Sequence, residues 1–197
     1  MSKSSDQELI EQSLSGDAEA FSVLVRRYQK RIYRLAVHML HDDTEAEDVT
    51  QETFVRAYQG LNRFQGNSQP YTWLYRIAVN LSLNIIRARK PRQHTTEASD
   101  PRIENWVAAR ATIVGSDPSA ASEQRQLAAA LCEAIDDLSD SLRTTLILVC
   151  IEGIRHDEAA QILGCPEGTV AWRVHEARRK LREHLALHGF AVPGEEP

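Results

Sequence analysis

Two stretches of the chain gather cations, amides and aromatic rings on one helical face, a combination suited to phosphates and bases. Over residues 71–90, Trp73, Arg76, Asn80, Asn84 and Arg87 recur at helical spacing, followed by Arg89, Lys90 and Arg92. Residues 71–94 carry five basic side chains and no acidic one. Guanidiniums can hold a backbone while bases stack on an indole at about 1–3 kcal/mol each, so this face suits single-stranded or distorted DNA. The loop just before it holds Asn67 and Ser68, and could receive a base swung out of the duplex. Leu74, Ile77, Ala78, Leu81 and Ile85 form the apolar stripe that would bury the opposite side. From these residues alone, a core position for Trp73 stands as an equal alternative.

Residues 157–185 form the second stretch. A short helix, the turn Gly164-Cys165-Pro166 and a longer helix spell a helix-turn-helix, with Pro166 suited to a first helical position. Val170, Val174, Ala177, Leu181 and Leu185 share one face of the longer helix and should bury. Trp172, His175 and Arg179 lie opposite, with Arg173 and Arg178 on the flanks and Lys180 and Arg182 nearby. Such a helix enters the major groove with its N-terminal residues on the bases. A helical hairpin with a solvated charged face is the competing reading.

A third arc, on a helix over residues 44–60, collects Asp48, Gln51, Glu52, Val55 and Gln59, with Ala46, Val49, Thr53, Phe54, Ala57 and Leu61 on the other side. It is either a solvated acidic face or a docking surface for a basic helical partner. Little points to catalysis. The seven histidines form neither an HExxH nor a His/Cys ligand spacing, and GxSxG, Walker A and GxGxxG are missing. His184 and His188 stand one turn apart near the chain's end and read as surface histidines. No metal, cofactor or enzymatic activity is expected. Cys132, Cys150 and Cys165 allow neither a disulfide framework nor a CxxC pair, and read as reduced thiols packed like small hydrophobes.

The elements that must position these faces are helical throughout. Leu9, Ile10 and Leu14 suggest a short helix ending at Gly16. Asp17 can cap a long one with Phe21, Leu24, Val25, Tyr28, Ile32, Leu35, Ala36, Met39 and Leu40 inward. Thr44 and Glu47 have the spacing of a capping box, Gly60 stops that helix, and Pro91 should end the helix begun near Tyr71. Residues 91–124 hold prolines, small polar residues and a lone Trp106, and read as a linker too long for a connection inside one domain. Beyond it, Leu127, Leu131, Ala134, Ile135 and Leu138 form a stripe, and Ser139 caps a helix through Leu142, Leu146 and Val149. The expected architecture is all-α. Two small helical domains, 6–90 and 125–187, are joined by a flexible linker, with a tail at 188–197.

The 197 residues, 42% hydrophobic and 26% charged, exclude collagen-like, low-complexity and wholly disordered chains. No apolar run approaches the roughly 18–20 residues that span a bilayer, and the start of the chain lacks a secretory pattern. A cytoplasmic protein is expected. The net charge of −5 argues against a protein that coats nucleic acid unaided, and two basic zones in an acidic chain favour binding within a larger complex.

With these pieces in order, the chain resembles a bacterial RNA polymerase sigma factor of the extracytoplasmic-function group. Residues 45–61 (EAEDVTQETFVRAYQGL) resemble the segment that docks on the clamp helices of the polymerase large subunit. Residues 63–90 (RFQGNSQPYTWLYRIAVNLSLNIIRARK) resemble the −10 recognition and melting segment, and residues 138–185 the −35 reading domain. The resemblance implies core-polymerase docking through Asp48, Gln51, Glu52 and Val55. It implies −10 contacts from Asn67, Ser68, Trp73, Arg76, Asn80, Asn84 and Arg87. For the −35 element it implies Thr169, Trp172, Arg173, His175, Glu176, Arg178 and Arg179. It further implies promoter DNA, core polymerase (clamp helices and flap) and an anti-sigma factor as partners, with no membrane insertion and no obligate homo-oligomer. Four residues depart from the family's habit. Arg155 replaces a small polar cap, Ala171 and Glu176 stand where Arg is frequent, and Trp172 stands where Ser is. Fewer cations weaken phosphate attraction, while Glu176 could accept from a cytosine amino group. A stand-alone helix-turn-helix regulator explains residues 157–185 but leaves the other two faces idle. A helical nuclease or metal hydrolase would need carboxylates or histidines gathered at a pocket.

Overall fold

In the computed structural model, which describes residues 4–64, 66, 68–93 and 118–190, Ser5 and Glu8 open the first helix as a reciprocal capping box. The hydroxyl of Ser5 accepts from the Glu8 amide, and the Glu8 carboxylate accepts from the Ser5 amide at 2.7 Å. This helix, α1 (Asp6–Leu14), packs on α2 (Ala18–Leu40). Asp17 caps α2 by accepting from the Glu19 and Ala20 amides. His41 ends it in the left-handed conformation, with φ +53°.

Helix α3 (Asp43–Gly60) starts one residue after Asp42, whose carboxylate accepts from the Glu45 amide at 2.9 Å. Asp42, not Thr44, is therefore the cap: a carboxylate nearer the start satisfies the free amides first and also complements the helix dipole. A 3₁₀ turn (Leu61–Arg63) leads to the loop before α4 (Pro70–Gln93). α4 runs past Pro91 to Gln93, giving up the amide hydrogen bond that Pro91 cannot donate. Trp106 and most of the expected linker lie outside the described residues.

The second half comprises α5 (Pro118–Asp136), α6 (Asp140–Leu146), a π-helical turn (Ile147–Ile151), α7 (His156–Leu163) and α8 (Glu167–Leu187). The described residues hold helices and turns, with no strand. Pro166 is the residue before α8, with extended φ −61° and ψ 148°, rather than its first helical position. Leu127 and Leu131 are exposed, so the buried face of α5 runs instead through Ala130, Cys132, Ala134 and Ile135. Cys132 fits the small-hydrophobe reading. Burial, seconded by Asp136, pushes its thiol up to about 11. Cys150 does not fit it, being exposed.

Ile32, Leu35, Met39 and Leu40 are at most 1% exposed and fill the centre of the first half, each such side chain contributing about 1.5–3 kcal/mol by leaving water. The two halves touch. One apolar cluster runs from Leu9 through Ile86 and on to Ile147, Leu148, Ile154, Ile162 and Val174. A second cluster, Ile135, Leu138, Leu142, Leu146 and Ala177, belongs to the second half alone. Polar contacts fasten the join. The buried carboxylate of Glu152 accepts from Arg34 at 2.8 Å and from the ring of His38 at 2.8 Å. Buried Arg143 donates to the Met39 carbonyl at 2.7 Å and pairs with Asp136, which also faces His41.

Candidate nucleic-acid interface

Helix α4 turns Arg76, Asn80, Asn84 and Arg87 to the outside and buries Thr72, Leu74, Tyr75, Ala78, Val79, Ser82 and Ile86. The buried face is thus rotated from the stripe read in the sequence, since Ile77, Leu81 and Ile85 are only half-buried. Polar Thr72 and Ser82 lie inside because helices α2 and α3 cover that side; the Ser82 hydroxyl donates to the Ala78 carbonyl at 2.9 Å. Tyr75, also inside, has its phenol pushed up to about 12, chiefly by burial.

Trp73 sits between the two readings offered for it. Its ring is half-buried and packs on Phe64 at 5.0 Å between centroids. Gly60 makes room for it: a Cβ there would lie 3.4 Å from the indole. Held by Phe64 and Gly60 yet only half-buried, the indole keeps part of its surface accessible for stacking. Ser68 is half-buried; Asn67 lies outside the described residues.

The second half closes over part of this face. Arg76 donates to the Gln161 carbonyl of α7, and Arg87 donates to the Asp140 carboxylate at 3.1 Å. Ser68 and Arg76 line a groove with Gln161, Gly164, Cys165 and Pro166. A face free of carboxylates in its own segment thus receives one from Asp140. Asn80 and Asn84 stay exposed.

Helix α7 and α8 meet at Gly164, which takes φ +64° to end α7. Arg155 stands at the α7 cap without a side-chain cap bond; its guanidinium donates to Asp157 at 3.0 Å instead. On α8, Val170, Val174, Ala177 and Leu185 are buried as expected, and Leu181 is partly so. Trp172 is 61% exposed, and His175, Arg178 and Arg179 are exposed beside it. Thr169, Arg173 and Glu176 are half-buried. The cations differ in availability. Arg179 is held by Glu176 at 2.6 Å and also by Glu183, and those carboxylates raise its pKa further. Among the described residues, Arg173 and Arg178 meet weak acceptors, the sulfurs of Cys165 at 3.7 Å and Cys150 at 3.3 Å. Glu176, bonded to Arg179, has its carboxyl held below the usual range.

On α3, Asp48, Gln51 and Gln59 are exposed, and Glu52 is half-buried with its carboxylate accepting from Arg56 at 2.7 Å. Val55 is 48% exposed and Tyr58, which the sequence reading passed over, 54%. Tyr58 rests edge-on against Phe21. An acidic arc around two exposed apolar side chains has the make-up of a protein-docking patch. A run of polar residues predicts the arc, but only the packing of Phe21 shows that Tyr58 stands in it.

Comparison with known proteins matches both halves. Residues 24–92 match the family model for Sigma-70 region 2, and residues 128–181 that for Sigma-70, region 4. The RNA polymerase sigma-H factor of Pseudomonas aeruginosa is 37% identical over 187 residues, 94% of this chain and 96% of that protein. The ECF RNA polymerase sigma-E factor of Escherichia coli is 35% identical over 176 residues, 89% and 92% of the two chains. Among solved structures, CnrH in complex with the cytosolic domain of CnrY shares 26% identity with a TM-score of 0.67, covering 92% of this chain and 97% of that one. The Bartonella quintana sigma factor RpoE, solved with the anti-sigma factor NepR, has the same fold at a TM-score of 0.60 and 23% identity, covering 86% and 99%.

Proposed function

The chain belongs to the sigma-70 family, in its extracytoplasmic-function group, and from that premise we propose how its surfaces divide the work of starting transcription. It is a sigma factor: it binds core RNA polymerase and directs it to promoter DNA. We infer that domain 6–90 docks on the polymerase through Asp48, Gln51, Glu52 and Val55, to which Tyr58 adds apolar area. Its helix α4 and the loop before it (Asn67, Ser68, Trp73, Arg76, Asn80, Asn84, Arg87) read and open the −10 element. Domain 125–187 reads the −35 element with Thr169, Trp172, Arg173, His175, Glu176, Arg178 and Arg179. The protein acts in the cytoplasm, where it catalyses no bond-making step itself. An anti-sigma factor, the kind of partner seen with the Bartonella relative, would mask these same faces.

One observation carries this division: α4 holds an indole, two amides and two guanidiniums on a single side, in the chain whose α7 and α8 form a helix-turn-helix. An indole wedged against Phe64 can stack on an unpaired base while Arg76 and Arg87 meet phosphates. Separation is required first. Elements centred at −10 and −35 lie about 25 base pairs, or roughly 85 Å, apart at ~3.4 Å per step. Modules in contact cannot reach both. Residues 94–117, between α4 and α5, number 24 and can extend at most about 80 Å at ~3.4 Å each; added to the breadth of the two modules, that reach permits the opening. Core polymerase would supply the second docking surface that holds the modules apart.

Mixing the purified chain with core polymerase and promoter DNA tests the division. Comigration with core, and a DNA shift only when core is present, is expected. A stand-alone regulator gives the reverse, an operator shift without polymerase and no complex with it.

A further inference from the structure

We propose that Glu133, His184 and His188 form a binding site for a divalent transition-metal ion of the zinc class, clipping α5 to the end of α8. His184 and His188 stand one helical turn apart, and their rings stack with centroids 4.4 Å apart and planes 16° from parallel. Glu133 comes from α5, which packs along α8. A carboxylate oxygen of Glu133 and one nitrogen of each ring all lie within 4.8 Å of one another. An ion about 2.0–2.2 Å from each donor needs them roughly 3.4 Å apart. Closing the gap requires the rings to turn out of their stack so that their in-plane lone pairs converge, and His188, exposed just past the last turn of α8, is the ring placed to turn.

The second nitrogens explain why these rings are ready to ligate. His188 Nδ1 lies 2.9 Å from the His184 carbonyl oxygen. A carbonyl only accepts, so Nδ1 carries the proton and the neutral ring keeps its lone pair on Nε2. His184 Nδ1 faces a carboxylate oxygen of Asp137 at 3.7 Å, which favours the same tautomer. Its Nε2 is buried and has no hydrogen-bond partner. A buried ring nitrogen left unpaired is costly and asks for an explanation, and a metal ion supplies it. Histidines that bind metals commonly hand their other N–H to a carboxylate or a backbone carbonyl. The carbonyl arrangement occurs at His188, and the Asp137 carboxylate stands 3.7 Å from His184 Nδ1, close enough to take up its N–H after a small shift.

Two imidazoles and one carboxylate select the class of ion. Calcium and magnesium prefer all-oxygen shells, whereas zinc and its first-row neighbours take nitrogen with oxygen. Three protein ligands leave the fourth position of a tetrahedral ion to water. Placed there, the ion ties the helix that follows residues 94–117 to the far end of the helix carrying the −35 side chains. The histidine pair is visible in the sequence, but Glu133 is 51 positions away on another helix, so no ligand spacing announces the set.

Calorimetric titration of zinc chloride into the tag-free full chain tests the site, with visible absorption of the cobalt(II) form as a report on geometry. One equivalent should bind, cobalt(II) should show the bands of tetrahedral coordination, and amide exchange should slow in α5 and the last turns of α8. Glu133→Gln and His188→Gln should each lower zinc affinity at least tenfold while leaving helical content unchanged. Asp137→Asn should lower it about 10–100-fold, as loss of an orienting carboxylate does. No binding, or binding undiminished by Glu133→Gln and His188→Gln, overturns the proposal. So does affinity that vanishes only when Cys150 and Cys165 are replaced, because the ion would then sit on thiols.

Discussion

Trp73 is the residue whose chemistry and packing are most closely joined. Phe64 and the bare Cα of Gly60 hold the half-buried indole, so its accessible part is presented at a set angle. Trp73→Ala should slow promoter opening at least tenfold while changing core-polymerase affinity less than twofold; Trp73→Phe should keep part of the opening rate. Permanganate reactivity of the −10 thymines and a polymerase-binding titration measure the two steps, and equal losses in both would make the ring merely structural. The α8 cations give a second contrast. Each phosphate contact contributes about one ion to the salt dependence of binding. Arg178→Ala should therefore flatten the salt dependence of −35 binding by about one unit of slope. Arg179→Ala should change it little, because Glu176 and Glu183 already neutralise Arg179. Equal slopes for the two variants would contradict this. The sequence shows both arginines but not their availability: Glu183 lies one turn away and is readable, whereas the Cys150 sulfur beside Arg178 comes from a separate helix.

At the scale of elements, α3 offers acid around exposed Val55 and Tyr58. Replacing Asp48 and Glu52 by Lys should cut core affinity at least tenfold without altering the thermal midpoint by more than about 3 °C, since exposed charges contribute little to folding. Unchanged affinity would return the arc to ordinary solvated surface. The turn after the π-helical segment carries the opposite kind of carboxylate. Burial alone would raise the pKa of Glu152, but the hydrogen bonds from His38 and Arg34 outweigh it and hold the carboxyl below the usual range. A depressed carboxylate contributes stability above its free pKa of about 4.3, and that contribution is lost as pH falls through the lower, folded value. Contact between the halves should therefore hold at neutral pH and loosen below about pH 4.3. Glu152→Gln should loosen it at pH 7 and lose this acid step, as read by radius of gyration from small-angle scattering. Superimposable pH curves would sink the assignment. Helix identities were legible from periodicity because each has a sustained apolar stripe. Boundaries were less so, since Thr44 and Asp42 both look like caps and only geometry says whose oxygen reaches the Glu45 amide. The buried face of α4 departs from the apolar stripe because Thr72 and Ser82, polar by type, satisfy or hide their hydroxyls within the helix packing.

For the whole molecule, the sequence announces two helical units around a long polar segment, and the two matched family regions fall on the same units. It does not announce that the units close on one another. That join depends on pairs more than a hundred positions apart, Arg34 with Glu152 and Met39 with Arg143, for which local pattern carries no signal. The closed arrangement engages Arg76 and Arg87, two side chains assigned to the −10 element, in contacts with the second half. On the proposed division of surfaces, polymerase binding would therefore be coupled to promoter reading, because docking would have to part these contacts before Arg76 and Arg87 were free. Run-off transcription from a mapped upstream region, using core polymerase stripped of other initiation factors, tests this most directly. The account requires specific transcripts with the full chain and their loss with Arg76→Ala combined with Asn80→Ala, although that variant still binds core. Absence of initiation with the intact chain at every region tried, or transcripts undiminished by the double variant, would contradict it.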